Sequence, residues 1–418
     1  MKQLNRQHFL GATASLCLGM KTNLLLAAND GGIYKPQEKR VVNIHMGGGQ
    51  THLDFWDPKP ENQEVMGATK AIETNTGIQV GHWLPKLSQH FDKMALIRGM
   101  NNPEGSHGRG TYLADTGYRV IGTIKHPSLG PKVSKFMDRI HPELPTSVVV
   151  GSGTLDGSAG YLGSMYDSFK VVSASEGLGA LVPEGSGGEA YARRLKMMIA
   201  LGEDFRKDHP QNEVKAMSSF YNEAIKMLRS KDLEAFDLSK ESAAKRSFYG
   251  NNEFGDRLLL TKRLLKAGVR SIQVNSPTQW DQHIDIFQKL PETGKMLDTG
   301  LAAFMSDLYE EGLLENTIVT YTTEFGRTPD IHGQRKGRDH YPKAYSNWIA
   351  GAGIKGGAVL GKTDERGAKV VEDKVTPFDV HQTLRELLGI SKDKEIYSSD
   401  NRPFPFEREG KVLSKILS

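Results

Sequence analysis

The feature that most constrains this chain is an alternation of short apolar runs with amphipathic stretches. Val41–Met46 reads as a strand that ends in three glycines, Gly47–Gly49. "LPKLSQHFDKMALIRGM" reads as a helix followed by a strand over Met94–Arg98, and "PSLGPKVSKFMDRI" as a helix followed by the buried strand "TSVVVG". Further on, "VRSIQVNS" is a strand, Leu297–Glu311 a helix, and "NTIVTYTTE" and "SNWIAGAG" are strands. "TPFDVHQTLRELLGI" is a helix with a Thr-Pro start and a glycine after its last turn. This order predicts an α/β fold, a mostly parallel sheet with helices on both faces. Between about Glu189 and Lys266 lie three long amphipathic stretches with charges on one face. They predict a helical block in the middle of the chain, either inserted in the sheet domain or supplying its crossovers.

Of the 418 residues, 38% are hydrophobic and 25% charged, which is enough to build a large core and excludes a disordered chain. The formal charge of +4 is small for this length, and no nucleic-acid-binding stripe is present. The first thirty residues read as an export signal. Lys2 and Arg6 give a positive start, Phe9–Leu26 is largely apolar or small, and Ala27 and Ala28 offer a cleavage point. Lys21 and Asn23 interrupt the apolar stretch, so no membrane span is expected in the mature chain. The expected organisation is a signal over residues 1–28 and one domain over residues 29–418, with a helical insert at about 189–266. The expected location is periplasmic or extracellular. Cys17 is the one cysteine and falls in the signal. The mature chain then has no thiol for a disulfide, a zinc–thiolate site or a cysteine nucleophile.

Four polar segments each follow or flank an apolar strand. Ligands of open α/β sheets collect at the carboxyl ends of strands, so the four can converge. In "HMGGGQTHLDFWDPKP", His52 and Asp54 are two apart and face one side of an extended loop. In "MNNPEGSHGRGTYLADTGY", Ser106, His107 and Arg109 sit where a helix starts, a position that attracts anions. In "NSPTQWDQHIDIF", Asp281 and His283 have the same two-residue spacing, and Asp with His suits a divalent cation. In "TEFGRTPDIHGQRKGRDHYP", Glu324 ends a strand, His340 follows sixteen residues later, and Asp339 can orient a histidine. Arg327 and Arg338 in that segment can hold phosphate or sulfate in a fork. The bland reading of each segment is a glycine turn, a helix cap or a surface ion pair. His82, His90, His126, His141, His209 and His381 belong to no such cluster.

These motifs, with "AGAGIKGGAVLGKTDERG", resemble the bacterial family known as domain of unknown function 1501. Its members are exported and are grouped with the alkaline-phosphatase and sulfatase superfamily. The resemblance covers nearly the whole mature chain and implies an alkaline-phosphatase-like fold. Laid on the superfamily pattern, Met46 and Gly47 hold the place of the acid that ends the first strand, with Asp54 the nearest acid downstream. Ser106 stands ten residues before the Thr of Thr116-Gly117, where a sulfatase has Cys or Ser, but Gly108 and Gly110 replace the Pro and Arg of that motif. Glu324-Phe325 replaces the late Asp-His pair. Asp281, His283 and His340 are similar to the other half of a two-metal site.

The resemblance therefore implies an exported hydrolase of sulfate or phosphate esters, on a small anionic molecule or a polysaccharide, with its nucleophile half-site rebuilt. The expected metal ligands are Asp281, His283, Glu324, His340, His52 and Asp54. The cation is zinc, manganese, calcium or magnesium. His107 is the expected general base or an additional ligand, and Ser106 a nucleophile. Arg109, Arg327 and Arg338 are expected to stabilise the oxyanion. The alternative is a binding or scaffold protein for anionic glycans or a partner protein, with no turnover.

Overall fold

Strand β1, Arg40–His45, is buried along its whole length. A strand covered on both faces by helices must be apolar or internally satisfied on both, and that places β1 inside a sheet rather than at its edge. The computed structural model describes residues 38–177, 193, 196–197, 200, 230–398, 402–407 and 409–418. In it β1 lies between two parallel neighbours.

The strands that follow, up to the last one in the main sheet, are β2 (Ala71–Glu73), β3 (Gln79–Gly81), β4 (Met94–Met100), β5 (Ser147–Val150), β6 (Phe169–Val171), β7 (Ser271–Asn275), β8 (Thr317–Thr322), β9 (Gly326–Arg327), β10 (His340–Tyr341), β11 (Tyr345–Gly351) and β12 (Ala358–Leu360). Eight of them form one sheet in the order β12-β4-β11-β8-β1-β7-β5-β6. Every pairing is parallel except those of β11, which runs antiparallel to both β4 and β8. β2 with β3 and β9 with β10 form small antiparallel pairs outside the sheet.

Side chains alternate across the sheet, as the strand period requires. Val42 and Ile44 of β1 enter one core, with Leu258 and Leu265 of helix Glu253–Lys266 and Leu301 and Phe304 of helix Ile286–Glu310. Val41 enters the other, with Val133 of helix Leu129–Phe136 and Leu384 and Leu388 of helix Pro377–Leu388. The sheet is therefore covered on both faces, as the alternation predicts.

Local signals explain most boundaries. Helix Pro377–Leu388 starts where the Asp379 carboxylate accepts from the Thr376 N–H (2.7 Å) and hydroxyl (2.8 Å), and it stops at Gly389 in the left-handed conformation. Helix Ile286–Glu310 begins eleven residues ahead of the predicted Leu297. Pro291 reads as a breaker, yet it sits as the sixth residue of this helix, which continues past it at the cost of one i→i−4 hydrogen bond. The predicted helix before β4 is a 3-10 segment, Leu87–Lys93. The expected signal over residues 1–28 lies outside the described residues, as does nearly all of the first two amphipathic stretches of the expected insert. Of the three amphipathic stretches, Glu253–Lys266 packs in the main core directly ahead of β7, as a crossover helix does. No helix among the described residues is long and apolar enough to cross a membrane.

Candidate metal centre

Five neighbouring strands at the middle of the sheet, β4-β11-β8-β1-β7, deliver polar groups to one edge. The loops after β1, β4, β7 and β8 carry Gly48, His107, Asp281 with His283, and Glu324. β11 runs the other way, so the residues that precede it reach the same edge, and they include Asp339 and His340. The short β9–β10 pair fixes them, with His340 opposite Arg327.

Gly48 is required by close approach. Its φ is +110°, and a Cβ there would meet the backbone nitrogens of Trp280 and Asp281 at 2.6 Å. That contact joins the loop after β1 to the loop after β7. The Gly48 N–H then donates to Glu324 Oε1 at 2.8 Å.

Three side chains form the centre. His107, Asp281 and His340 each offer one ligand atom, and the three atoms lie within 4.8 Å of one another. His107 Nε2 and His340 Nε2 stand 3.4 and 3.2 Å from Asp281 Oδ1. Bonds of about 2.1 Å to a tetrahedral cation put ligand atoms roughly 3.4 Å apart, so this spacing suits zinc or a similar ion. His107 Nε2 is buried and makes no hydrogen bond among the described residues. An imidazole nitrogen left bare beside a carboxylate is what a cation would satisfy.

Partners orient these ligands. Glu324, fully buried, takes His107 Nδ1 at 2.6 Å, which turns Nε2 toward Asp281. His283 lies between Asp339 (Nδ1 to Oδ1, 2.7 Å) and Asp281 (Nε2 to Oδ1, 2.9 Å). Arg335 forks onto Asp339 at 2.9 and 3.0 Å. Arg327 is buried and donates from Nε to the Gly49 carbonyl at 2.7 Å and from Nη2 to Gly48 O and Asp281 Oδ1. Phe325, tilted, and His340, edge-on, pack against the His107 ring with centroids 4.9 and 4.2 Å away.

The electrostatics follow from these contacts. Burial alone would raise the Asp281 carboxyl, but Arg327 against it prevails and holds it at about 2. Burial would likewise raise Glu324, and the His107 hydrogen bond with the nearby His45 brings it below the ordinary carboxylate value. His107 is raised by its bond to Glu324, which outweighs its burial. His340 is lowered, first by burial and then by the charges of Arg327 and His107. Asp281 is therefore a carboxylate and His340 favours its neutral, ligating form near neutral pH.

The structure brings together His107, Asp281, His283, Glu324, Arg327 and His340. Glu324 reaches His107 rather than joining the three ligand atoms, so its place is behind the centre. His52 and Asp54 are not in the group. They lie in a short helix, His52–Phe55, where residues two apart do not share a face. His52 Nε2 bonds Gly367 O at 2.8 Å, and Asp54 pairs with Arg338 Nε at 3.0 Å. Arg338 is thus committed to a buried ion pair away from the three ligands. Arg109 is exposed and pairs with Glu104 at 2.9 Å. Ser106 is the exposed residue ahead of helix His107–Thr116, and its hydroxyl makes no capping bond. Sequence reasoning left out His45, which is buried with Nε2 unpartnered 3.8 Å from Glu324 Oε2. Its position as the last residue of a central strand was the available signal.

Several solved structures are similar in outline. A protein in the alkaline phosphatase superfamily from Vibrio parahaemolyticus matches with a TM-score of 0.40 at 10% identity, over 92% of this chain and 72% of that one. The PsFucS1 sulfatase from Pseudoalteromonas sp. matches with a TM-score of 0.39 at 13% identity, over 85% and 69%. Alkaline phosphatase from the Antarctic bacterium TAB5 matches with a TM-score of 0.36 at 10% identity, over 85% and 99%. At TM-scores of this size the likeness assigns no activity to this chain. No curated protein matches the sequence. The chain belongs to the family described as Protein of unknown function (DUF1501), whose model matches residues 38–417.

Proposed function

We propose that the chain is a metal-dependent hydrolase of sulfate or phosphate esters. The observation that carries this reading is the convergence of His107, Asp281 and His340 on one point at the strand edge, beside the buried Arg327. A divalent cation held by those three side chains would polarise an ester oxygen and lower the pKa of water. Arg327 is buried with its donors bonded to Gly48, Gly49, Asp281, His283 and the Arg338 carbonyl, so it would favour an anionic sulfate or phosphate head through its fixed charge. His283, bridged between Asp339 and Asp281, is oriented to carry a proton to or from the reacting oxygen. Glu324 positions His107. The nucleophile in this reading is water, with Ser106, next to His107, as the side-chain alternative. Export to the periplasm or beyond, and a small molecule or polysaccharide as the ester's carrier, belong to the same proposal.

One contact favours a second reading. Arg327 already neutralises Asp281 without a cation, as in a protein that holds an anionic glycan or a partner and turns nothing over. Purification without chelator, metal analysis, and assays on 4-nitrophenyl sulfate and 4-nitrophenyl phosphate separate the two. The hydrolase predicts bound metal and turnover, both lost in His340→Ala. A protein that takes up no divalent metal and hydrolyses neither ester, yet binds heparin unchanged, establishes the second reading instead.

A further inference from the structure

Helix His107–Thr116 carries His107 at its first residue, and its next turns border a cavity of about 320 Å³, a size typical of small-molecule sites. Thr111 lines this cavity, is buried, and its hydroxyl has no hydrogen-bond partner among the described residues. An orphaned hydroxyl in a protein interior is costly unless something satisfies it. Asp115, one turn further on, is also buried and accepts from Ser128 Oγ at 2.6 Å. The Tyr112 hydroxyl accepts the His126 N–H and faces His126 Nδ1, both at 2.7 Å. At the rim Lys125 and Asp156 pair loosely at 3.5 Å, each more than half exposed.

The lining selects its ligand by chemistry. Two carboxyl groups face one ammonium, which disfavours a second sulfate or phosphate. Leu155 is the one aliphatic side chain in the lining, yet most of the lining surface is carbon, which suits the apolar face of a ring that carries hydroxyls at its edge. Burial lifts the Asp115 carboxyl to about 6, so near neutral pH it is chiefly an acceptor and a minor protonated fraction can donate. Threonine, tyrosine, serine and a carboxyl group together match a ring with alternating hydroxyl donors and acceptors.

We propose that this cavity is the subsite for an uncharged, hydroxyl-rich group, a sugar ring, on the alcohol side of the ester whose anionic head is held at His107, Asp281 and His340. The proposal rests on the hydrolase reading for the word ester, but not for the binding itself. His107 belongs to both places, so the head and the ring of one substrate would meet across its imidazole.

The test is saturation-transfer NMR and calorimetry on the full chain loaded with zinc or manganese. The probes are the neutral methyl glycosides of glucose, galactose, mannose, fucose and N-acetylglucosamine. At least one is expected to bind. Thr154→Trp, at an exposed position on the lip, is expected to weaken it more than tenfold. Thr111→Val, nearly isosteric, is expected to weaken it about fivefold, the value of one hydrogen bond. Binding by none of the five, or equal binding by wild type and both variants, overturns the subsite. Glycoside binding in a protein that hydrolyses neither aryl ester keeps the subsite and removes the hydrolase. Aryl-ester turnover without glycoside binding does the reverse.

Discussion

Arg338 and His340 stand two residues apart, yet Arg338 is fully buried against Asp54 while the His340 side chain is 28% exposed beside Asp281. Asp54 receives Thr51 Oγ1 at 2.7 Å and Thr69 Oγ1 at 2.6 Å besides Arg338. Arg338 also donates to the carbonyls of Thr328 (3.1 Å) and Pro329 (2.5 Å). Both partners have their hydrogen-bonding capacity largely used. At the candidate metal centre the opposite holds, since His107 Nε2, and His45 Nε2 behind it beside Glu324, are buried without a hydrogen bond among the described residues. The difference separates polar groups that hold the fold from polar groups kept available for a ligand.

The comparison can be broken at either end. Asp54→Ala leaves Arg338 buried and uncompensated, and denaturant unfolding should show a loss of about 3–5 kcal/mol. The folded fraction should keep its metal. A loss below about 1 kcal/mol would put this pair on a par with surface ion pairs and erase the contrast. His340→Ala should do the reverse. Metal affinity should fall by roughly 100-fold or more, since even the partners behind ligands are worth 10–100-fold, while stability should change by under about 1 kcal/mol.

Glu324→Gln lies between the two. It should weaken metal binding by roughly 10-fold and lower the His107 pKa, read from its imidazole resonances against pH. The metal-free protein also gives a signed test. His107 is raised and Glu324 lowered, so their stabilisation is complete between the ordinary values of 4.5 and 6.5. It fades above, as His107 loses its proton, and below, as Glu324 gains one. Glu324→Gln should flatten both limbs of the stability profile. The smallest effect belongs to Arg109→Ala. Its exposed pair with Glu104 is worth at most about 1 kcal/mol, and metal content and turnover should not move. A tenfold fall in turnover would return Arg109 to the centre.

Much of the fold was legible because parallel strands buried on both faces leave continuous apolar runs, and "TSVVVG" and "NTIVTYTTE" are such runs. The four polar segments were legible because strand ends are where a sheet exposes backbone and loops. What the residues alone did not give is which members of each segment meet. The rule of two-residue spacing holds for Asp281 and His283, whose side chains meet, and fails for His52 and Asp54, where the chain coils into a helix. The direction of β11 is set by its pairings with β8, the strand before the β9–β10 pair, and with β4 far earlier in the chain, so it too leaves no local mark. The Thr111 cavity was invisible for the same reason, and His126 looked solitary until the fold set Tyr112 beside it.

The reversed strand has one more consequence. His340 is held at the rim by the segment that leads into β11, the strand that runs back between β4 and β8. A cation bound by all three side chains would therefore depend on the docking of β11, and a chain cut short before Tyr345 should bind it more weakly than the full chain does.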